Sequence, residues 1–291
     1  MSIDHLQNRI RKTKNPSVLE IWLDYAQIPP CYRPEEKPIP RFREYVLSIL
    51  AHLKGFIPAV RFSLCSFAIS GSEGMNVLIE LMNAASAMDY YVIVDAPEIF
   101  SPASAQLVAD GLFGEMSPYN CNAAVISCYL GSDGWKPFLP YCEKNDKDIF
   151  VAVRTGNKSA PELQDLLSGS RIVHAVAADH VNRYGSQCVG KSGYSRVSVM
   201  ASASSTESLR SLRSKYSKLF LLVDGYDYPS ANAKNCASAF DKFGHGAAVC
   251  AGTSITQAWT NESENPENYL ECAMAAAERM KKNLGRYVTV L

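Results

Sequence analysis

Val18-Leu-Glu-Ile-Trp-Leu23 is a short, unbroken, β-rich run that leads straight into Asp24-Tyr25-Ala26 with no glycine in the turn. An open doubly wound sheet more often places a glycine-rich turn after its first strand. Further runs of the same kind recur at residues 59–63, 91–94, 123–127, 149–153, 196–200, 219–223 and 247–250. Continuous apolar runs of this length suit strands buried on both faces, as in a parallel sheet. Helical patterns fill the intervals. One spans 72–88, with Ser72 as its expected N-cap and Met75, Leu78, Ile79 and Met82 at helical spacing; others span 205–215, 231–240 and 267–283. Eight alternating units in 291 residues predict an α/β fold of the closed (β/α)8 TIM-barrel type, as one domain over residues 1–291. Two segments depart from the beat. Residues 29–40 carry five prolines and read as an exposed loop, and residues 171–195 read as an extra helix ending near Gly185.

Bulk properties exclude several classes. Lysine plus arginine and aspartate plus glutamate each number 29, and no basic stretch offers a nucleic-acid footprint. No apolar run approaches the length of a membrane span, and residues 1–15 are polar and helical in pattern rather than a signal peptide. The nine cysteines form no C-x-x-C pair, which predicts reduced thiols buried as small hydrophobes in a cytoplasmic protein. His174 and His180 lie six apart and do not share a helix face, so no metal site is expected.

Barrel proteins place reactive groups at the C-terminal ends of their strands. Here those ends carry Asp24, Arg61, Asp95, Ser127, Arg154 with Thr155, Ser202 with Ser204, Asp224 with Asp227, and Gly252-Thr253-Ser254. Asp24, Arg61 and Asp95 fall at the first three ends. They read either as a salt bridge holding two acids in a wet mouth or as a polar site for a small ligand.

Several stretches carry a resemblance. They are Cys128-Tyr-Leu-Gly-Ser-Asp-Gly-Trp-Lys-Pro-Phe-Leu139, Arg154-Thr-Gly-Asn157 with Glu162-Leu-Gln164, Ala59-Val-Arg61, Leu23-Asp24, Gly225-Tyr226, and Ala239-Phe240-Asp241 through Ile255. In order and nearly end to end, the chain resembles the type 2 branch of the orotidine 5'-phosphate decarboxylase family of pyrimidine biosynthesis. The resemblance implies a cofactor-free carboxy-lyase on a TIM barrel. Its core is an Asp/Lys array: an acid after strand one, a lysine in strand two and D-x-K-x-x-D after strand three, the last aspartate reaching into the partner of a dimer. A developing carbanion wants an adjacent cation that can also give up a proton.

Against that pattern, Asp24 and Asp95 are retained and Arg61 replaces the strand-two lysine. Pro97 stands at the proton donor, Phe100 at the partner-reaching acid, and Glu98 is one residue off register. Pro229 and Thr253 stand where the family holds phosphate with glutamine and arginine, and Gly156 where a serine meets the pyrimidine. The ligand-binding candidates that remain are Ser127, Arg154, Thr155, Asn157 and the backbone N–H groups of Gly252, Thr253 and Ser254. The expectation is a pseudoenzyme without a cofactor. It binds a nucleotide or nucleoside-like molecule or a partner chain, as a homodimer or paired with an active homologue, the strand-three loop with Phe100 forming the contact. The alternatives are an active decarboxylase or a different enzyme on the same barrel.

Overall fold

The computed structural model describes residues 2–30, 38–262 and 265–291. Its central sheet consists of β1 (Ser17–Ile21), β2 (Ala59–Ser63), β3 (Tyr91–Asp95), β4 (Ala123–Ser127), β5 (Asp148–Arg154), β6 (Val197–Ser202), β7 (Leu221–Asp224) and β8 (Ala247–Ala251). All pairings are parallel, and the strands close into a barrel in the order β1-β8-β7-β6-β5-β4-β3-β2. Each run picked out in the sequence is a strand, and β2 and β4 match residue for residue. The TIM-barrel fold is therefore as expected.

Successive side chains alternate between the two faces of each strand. Outward residues such as Leu19, Val60, Val92, Ile126, Val199 and Val249 are buried against the ring of helices. Inward residues at the lower end, including Val18, Tyr91, Phe150, Phe220 and Ala248, form a second buried cluster. That cluster also takes in Ile3, Leu6 and Ile10 of the N-terminal helix Ile3–Thr13, which plugs the floor of the barrel. Asp4 fixes the plug by accepting hydrogen bonds from the backbone N–H groups of Lys191 (2.9 Å) and Ser192 (2.6 Å). The floor is filled largely by apolar side chains, with Asp148 buried there against the Tyr91 hydroxyl, and the charged residues Glu20, Arg61 and Asp224 cluster at the opposite mouth.

Three expectations need correction. The second helix runs Pro38–Leu53, so the loop expected through residue 40 ends earlier, and residues 31–37 lie outside the described residues. Pro38 and Pro40 fit there because proline is tolerated in a helix's first turn. Ser72 is not a cap: the helix is Gly71–Ala87, preceded by Ser70, whose side chain makes no capping bond. The helix Val173–Gly185 is not extra; it packs on β5 and β6 as the regular fifth helix, after a small hairpin of Leu167–Ser168 and Arg171–Ile172. Six of the eight described cysteines are buried, none in a disulfide. Among the described residues no helix is long and apolar enough to cross a membrane.

The plug gives a first prediction. Leu6 is fully buried, and Leu6→Ala should cost about 2–5 kcal/mol, whereas exposed Arg11→Ala should stay within about 0.5 kcal/mol. Urea unfolding of the two variants measures this; equal small losses would mean that the helix does not close the core.

Candidate functional site

The mouth is organised around Arg61. The inward positions of β1 run Val18, Glu20, Trp22, and in the register of β1 with β2 Glu20 lies directly beside Arg61. Arg61 Nη1 donates to Glu20 Oε1 (2.5 Å) and Asp224 Oδ1 (3.1 Å). Its Nε and Nη2 fork onto the two oxygens of Asp95 at 2.7 and 3.0 Å. The arginine is only 8% exposed, so its charge depends on these partners. Burial opposes that charge, but the neighbouring carboxylates, Asp95 foremost, hold the guanidinium well above its ordinary basicity.

Three carboxylates around one guanidinium leave excess negative charge, and Glu20 absorbs it. Burial, the leading cause, pushes its carboxyl up to about 8, with Arg61 opposing and Asp224, Asp95 and Asp227 reinforcing. Near neutral pH Glu20 therefore holds a proton much of the time. Asp24, expected in this cluster, is elsewhere. It ends the run before a single 3-10 turn, Tyr25–Gln27, and accepts from the Ala26 N–H at 2.9 Å as that turn's cap.

Arg154 is also misplaced by the sequence reading. A bulge between Ala152 and Arg154 shifts the register of β5, so that Arg154 pairs with Ala201, an outward residue. The side chain forks onto Asp165 at 2.9 and 3.0 Å, and His174 Nδ1 lies 3.1 Å from the same carboxylate. Thr155, Asn157 and Gln164 hydrogen-bond one another and pin the loop after β5. Ser127 ends β4, and its hydroxyl accepts from the Tyr129 N–H at 3.3 Å.

The N–H groups after β8 are already engaged. Asp227 Oδ2 accepts from Gly252 N (2.8 Å) and Ser254 N (3.3 Å), with Thr253 Oγ1 at 3.4 Å. An internal carboxylate thus occupies the N–H groups expected from the sequence to be open to a ligand. Beside it the Tyr228 ring packs onto Gly156 and Gly225 so closely that a Cβ on Gly156 would overlap it, and the Trp22 indole covers Gly252 in the same way. Glycine at 156 and 252 is what lets these two rings lie across the mouth.

Two cavities open here. One of about 390 Å³ is lined by Glu20, Trp22, Arg61, Asp224, Asp227 and Tyr228, among others. A larger one of about 740 Å³ runs from Arg61 and Asp95 past Ser127 and Thr155 to the helix Val173–Gly185. Sequence reasoning missed Glu20, Trp22 and Tyr228. An acid inside an otherwise apolar strand, sharing parity with Val18, was the available signal for the first. No group of metal-ligating side chains occurs among the described residues.

These features define a (β/α)8 barrel whose polar side chains converge on one charged centre at the strand C-termini. No model of a known protein family matches the chain. It is 27% identical to the orotidine 5'-phosphate decarboxylase of Rhodopirellula baltica over 251 residues, 84% of this chain and 83% of that protein. It is 24% identical to that of Petrotoga mobilis over 289 residues, 98% of each. The structure of Leishmania donovani OMP decarboxylase aligns with a TM-score of 0.71 at 21% identity, over 97% of this chain and 99% of that one. The chain is a homologue of the orotidine 5'-phosphate decarboxylases.

The buried acids make stability fall with rising pH. Glu20 and Asp148, the latter buried at the barrel floor against the Tyr91 hydroxyl, are both pushed from ordinary carboxyl values up to about 8, chiefly by burial. Between those ordinary values and 8 the unfolded chain has released protons that the folded chain retains. Their contribution is therefore complete at low pH and is lost as pH rises through 8. Glu20→Gln, which keeps an acceptor for Arg61, should flatten the decline in Tm between pH 5 and 8. Parallel curves for the variant and the parent would refute a protonated Glu20.

Proposed function

We propose that this homologue does not decarboxylate orotidine 5'-phosphate and acts by binding, either a metabolite in the mouth or a partner chain. One observation carries the reading: the cation at the centre of the mouth is Arg61, with Nε, Nη1 and Nη2 all donating to carboxylates. Loss of carbon dioxide leaves a carbanion that must take a proton from a neighbouring acid. An arginine cannot be that acid, and no lysine among the described residues lines either mouth cavity. Pro97 and Phe100, at the positions matched to the family's proton donor and partner acid, supply neither function.

The placement of Asp227 supports the same reading from the binding side. Its carboxylate occupies the Gly252 and Ser254 N–H groups, so a phosphate must displace it and bear its repulsion. A second reading, different proton-transfer chemistry on the same barrel, draws on Glu20, whose carboxyl at about 8 suits a general acid near neutral pH.

The purified protein should show no conversion of orotidine 5'-phosphate above background. Calorimetry should find uridine 5'-phosphate binding at most about tenfold tighter than uridine, roughly 1.4 kcal/mol. Asp227→Ala, which frees the N–H groups, should widen that ratio several-fold. Turnover on the order of 1 s⁻¹, or a large ratio unaffected by the substitution, would mean that another group does the work.

Assembly is the second part of the proposal. In the loop after β3, Ile99 is buried while Phe100 is 81% exposed, and Tyr129 of the next loop is 80% exposed. Phe100 thus does not fill the mouth, and its exposure supports a contact with a second copy or with an active homologue. Burying such a side chain contributes about 1.5–3 kcal/mol. Sedimentation should show a dimer that Phe100→Asp weakens; a monomer at micromolar concentration, or a dimer indifferent to the change, would remove this loop from the interface.

A further inference from the structure

The floor of the barrel gathers positive charge from positions scattered along the sequence. Lys12 and Lys54 line a recess of about 370 Å³ beside the plug helix Ile3–Thr13, together with Arg9, Thr13, Gly55 and Asp89. Lys14, Lys281 and Lys282 line a second recess, of about 320 Å³, at the end of the helix Tyr269–Gly285. The two adjoin. Lys281 Nζ donates to the Thr13 carbonyl at 2.9 Å and lies 5.1 Å from the centre of the Phe56 ring, next to Gly55. Lys14 Nζ donates to the Val290 carbonyl at 2.9 Å.

These contacts place two ammonium groups without neutralising them, because carbonyl acceptors are uncharged. Asp89 is the one acid in either lining among the described residues, and Arg9 is already paired with it. Lys12, Lys54 and Lys282 have no hydrogen-bond or ion-pair partner among the described residues. Three helices, Ile3–Thr13, Pro38–Leu53 and Tyr269–Gly285, end beside these lysines. Each C-terminus offsets about half an elementary charge. Roughly one and a half charges from three helix ends, set against five lysines, leave most of the positive charge unbalanced.

We propose that this basic floor docks an acidic segment, rich in aspartate and glutamate, of a second protein. The charge is spread over two joined recesses, which suits an extended polyanion better than a compact ion. Among the described residues no phenylalanine, tyrosine or tryptophan lines either recess, whereas single-stranded nucleic acids are held by stacking on such rings. None of the exposed large apolar side chains lies there to enter a bilayer. Carboxylates met by flexible lysines need neither feature. The floor lies at the opposite end of the barrel from Arg61, so the contact is independent of any chemistry in the mouth.

The test uses the full chain and a fluorescein-labelled decaglutamate peptide, with a glycine-serine peptide of equal length and label as the uncharged control. By anisotropy the acidic peptide should bind saturably below millimolar concentration and the control should not. Raising salt from about 0.05 to about 0.5 M should weaken binding at least tenfold, because salt screens exposed charges. Lys12→Glu with Lys54→Glu should also weaken it at least tenfold. Lys158→Glu with Lys234→Glu, the same charge change on exposed lysines that follow β5 and β7, should weaken it no more than about threefold, the share left to net charge alone. Lys12→Gln with Lys54→Gln removes charge without reversing it, and should weaken binding several-fold with Tm unchanged or raised. A fall in Tm with binding intact would assign these lysines to the fold and overturn the proposal. So would absence of saturable binding, equal binding of the control peptide, equal effects of the two charge-reversed variants, or tighter binding of oligo-dT or of phosphatidylserine vesicles than of the peptide.

Discussion

A guanidinium inside a barrel must be answered by carboxylates, and the mouth of this protein is built to answer Arg61. Glu20, Asp95 and Asp224 come from three different strands. Their inward positions at neighbouring heights follow from the parallel register, with Glu20 beside Arg61 across the β1–β2 pair. Removing one member of a buried ion cluster leaves the rest unpaired, which is why breaking such pairs is strongly destabilising even where forming them adds little. Burial and the neighbouring acids raise the Glu20 carboxyl, which favours its protonated form and so lessens the excess negative charge. The fork of Arg61 is directed at Glu20, Asp95 and Asp224.

The same internal pairing recurs around the rim. Arg154 is taken by Asp165 with His174 beside it, and the N–H groups after β8 are taken by Asp227. Trp22 and Tyr228 lie across two glycines that leave room for their rings. A site selected to hold a charged ligand keeps its donors free or loosely hydrated. Here the donors of Arg61, Arg154 and the backbone after β8 are already committed, and what stays open is a small acidic cavity beside a larger, mostly apolar one.

Much of this architecture is legible in the sequence because strand periodicity and strand length are local properties. Short continuous apolar runs marked all eight strands, and the alternation of units marked closure. Side-chain destinations were less legible, for specific reasons. Asp24 is matched by position to a catalytic acid, yet its carboxylate caps the adjacent turn, since a short acid is drawn to the nearest free N–H. Glu20, hidden in the middle of an apolar run, takes its place at the arginine. Arg154 was assigned to the mouth by strict alternation, and one bulge, invisible in the sequence, turned it outward. The pairing of Asp227 with residues 252–254 spans about 25 positions, a distance over which no local pattern carries information.

That last pairing bears on what a phosphate arriving at this end of the barrel would meet. Asp227 follows the end of β7 by three residues, so its carboxylate is tethered beside the N–H groups of Gly252 and Ser254 by a short, packed loop. Even flexible tethers hold a group at an effective concentration on the order of millimolar, and a packed one does so without the entropy of searching. A free phosphate at micromolar concentration must therefore outcompete an anion that is always present and needs no desolvation from bulk water. The fold gains from the same contact, because the donors that would otherwise be orphaned at the start of a short helix are satisfied. The Asp227 carboxylate thus stabilises the fold through the two N–H groups that a phosphate at this rim would have to use.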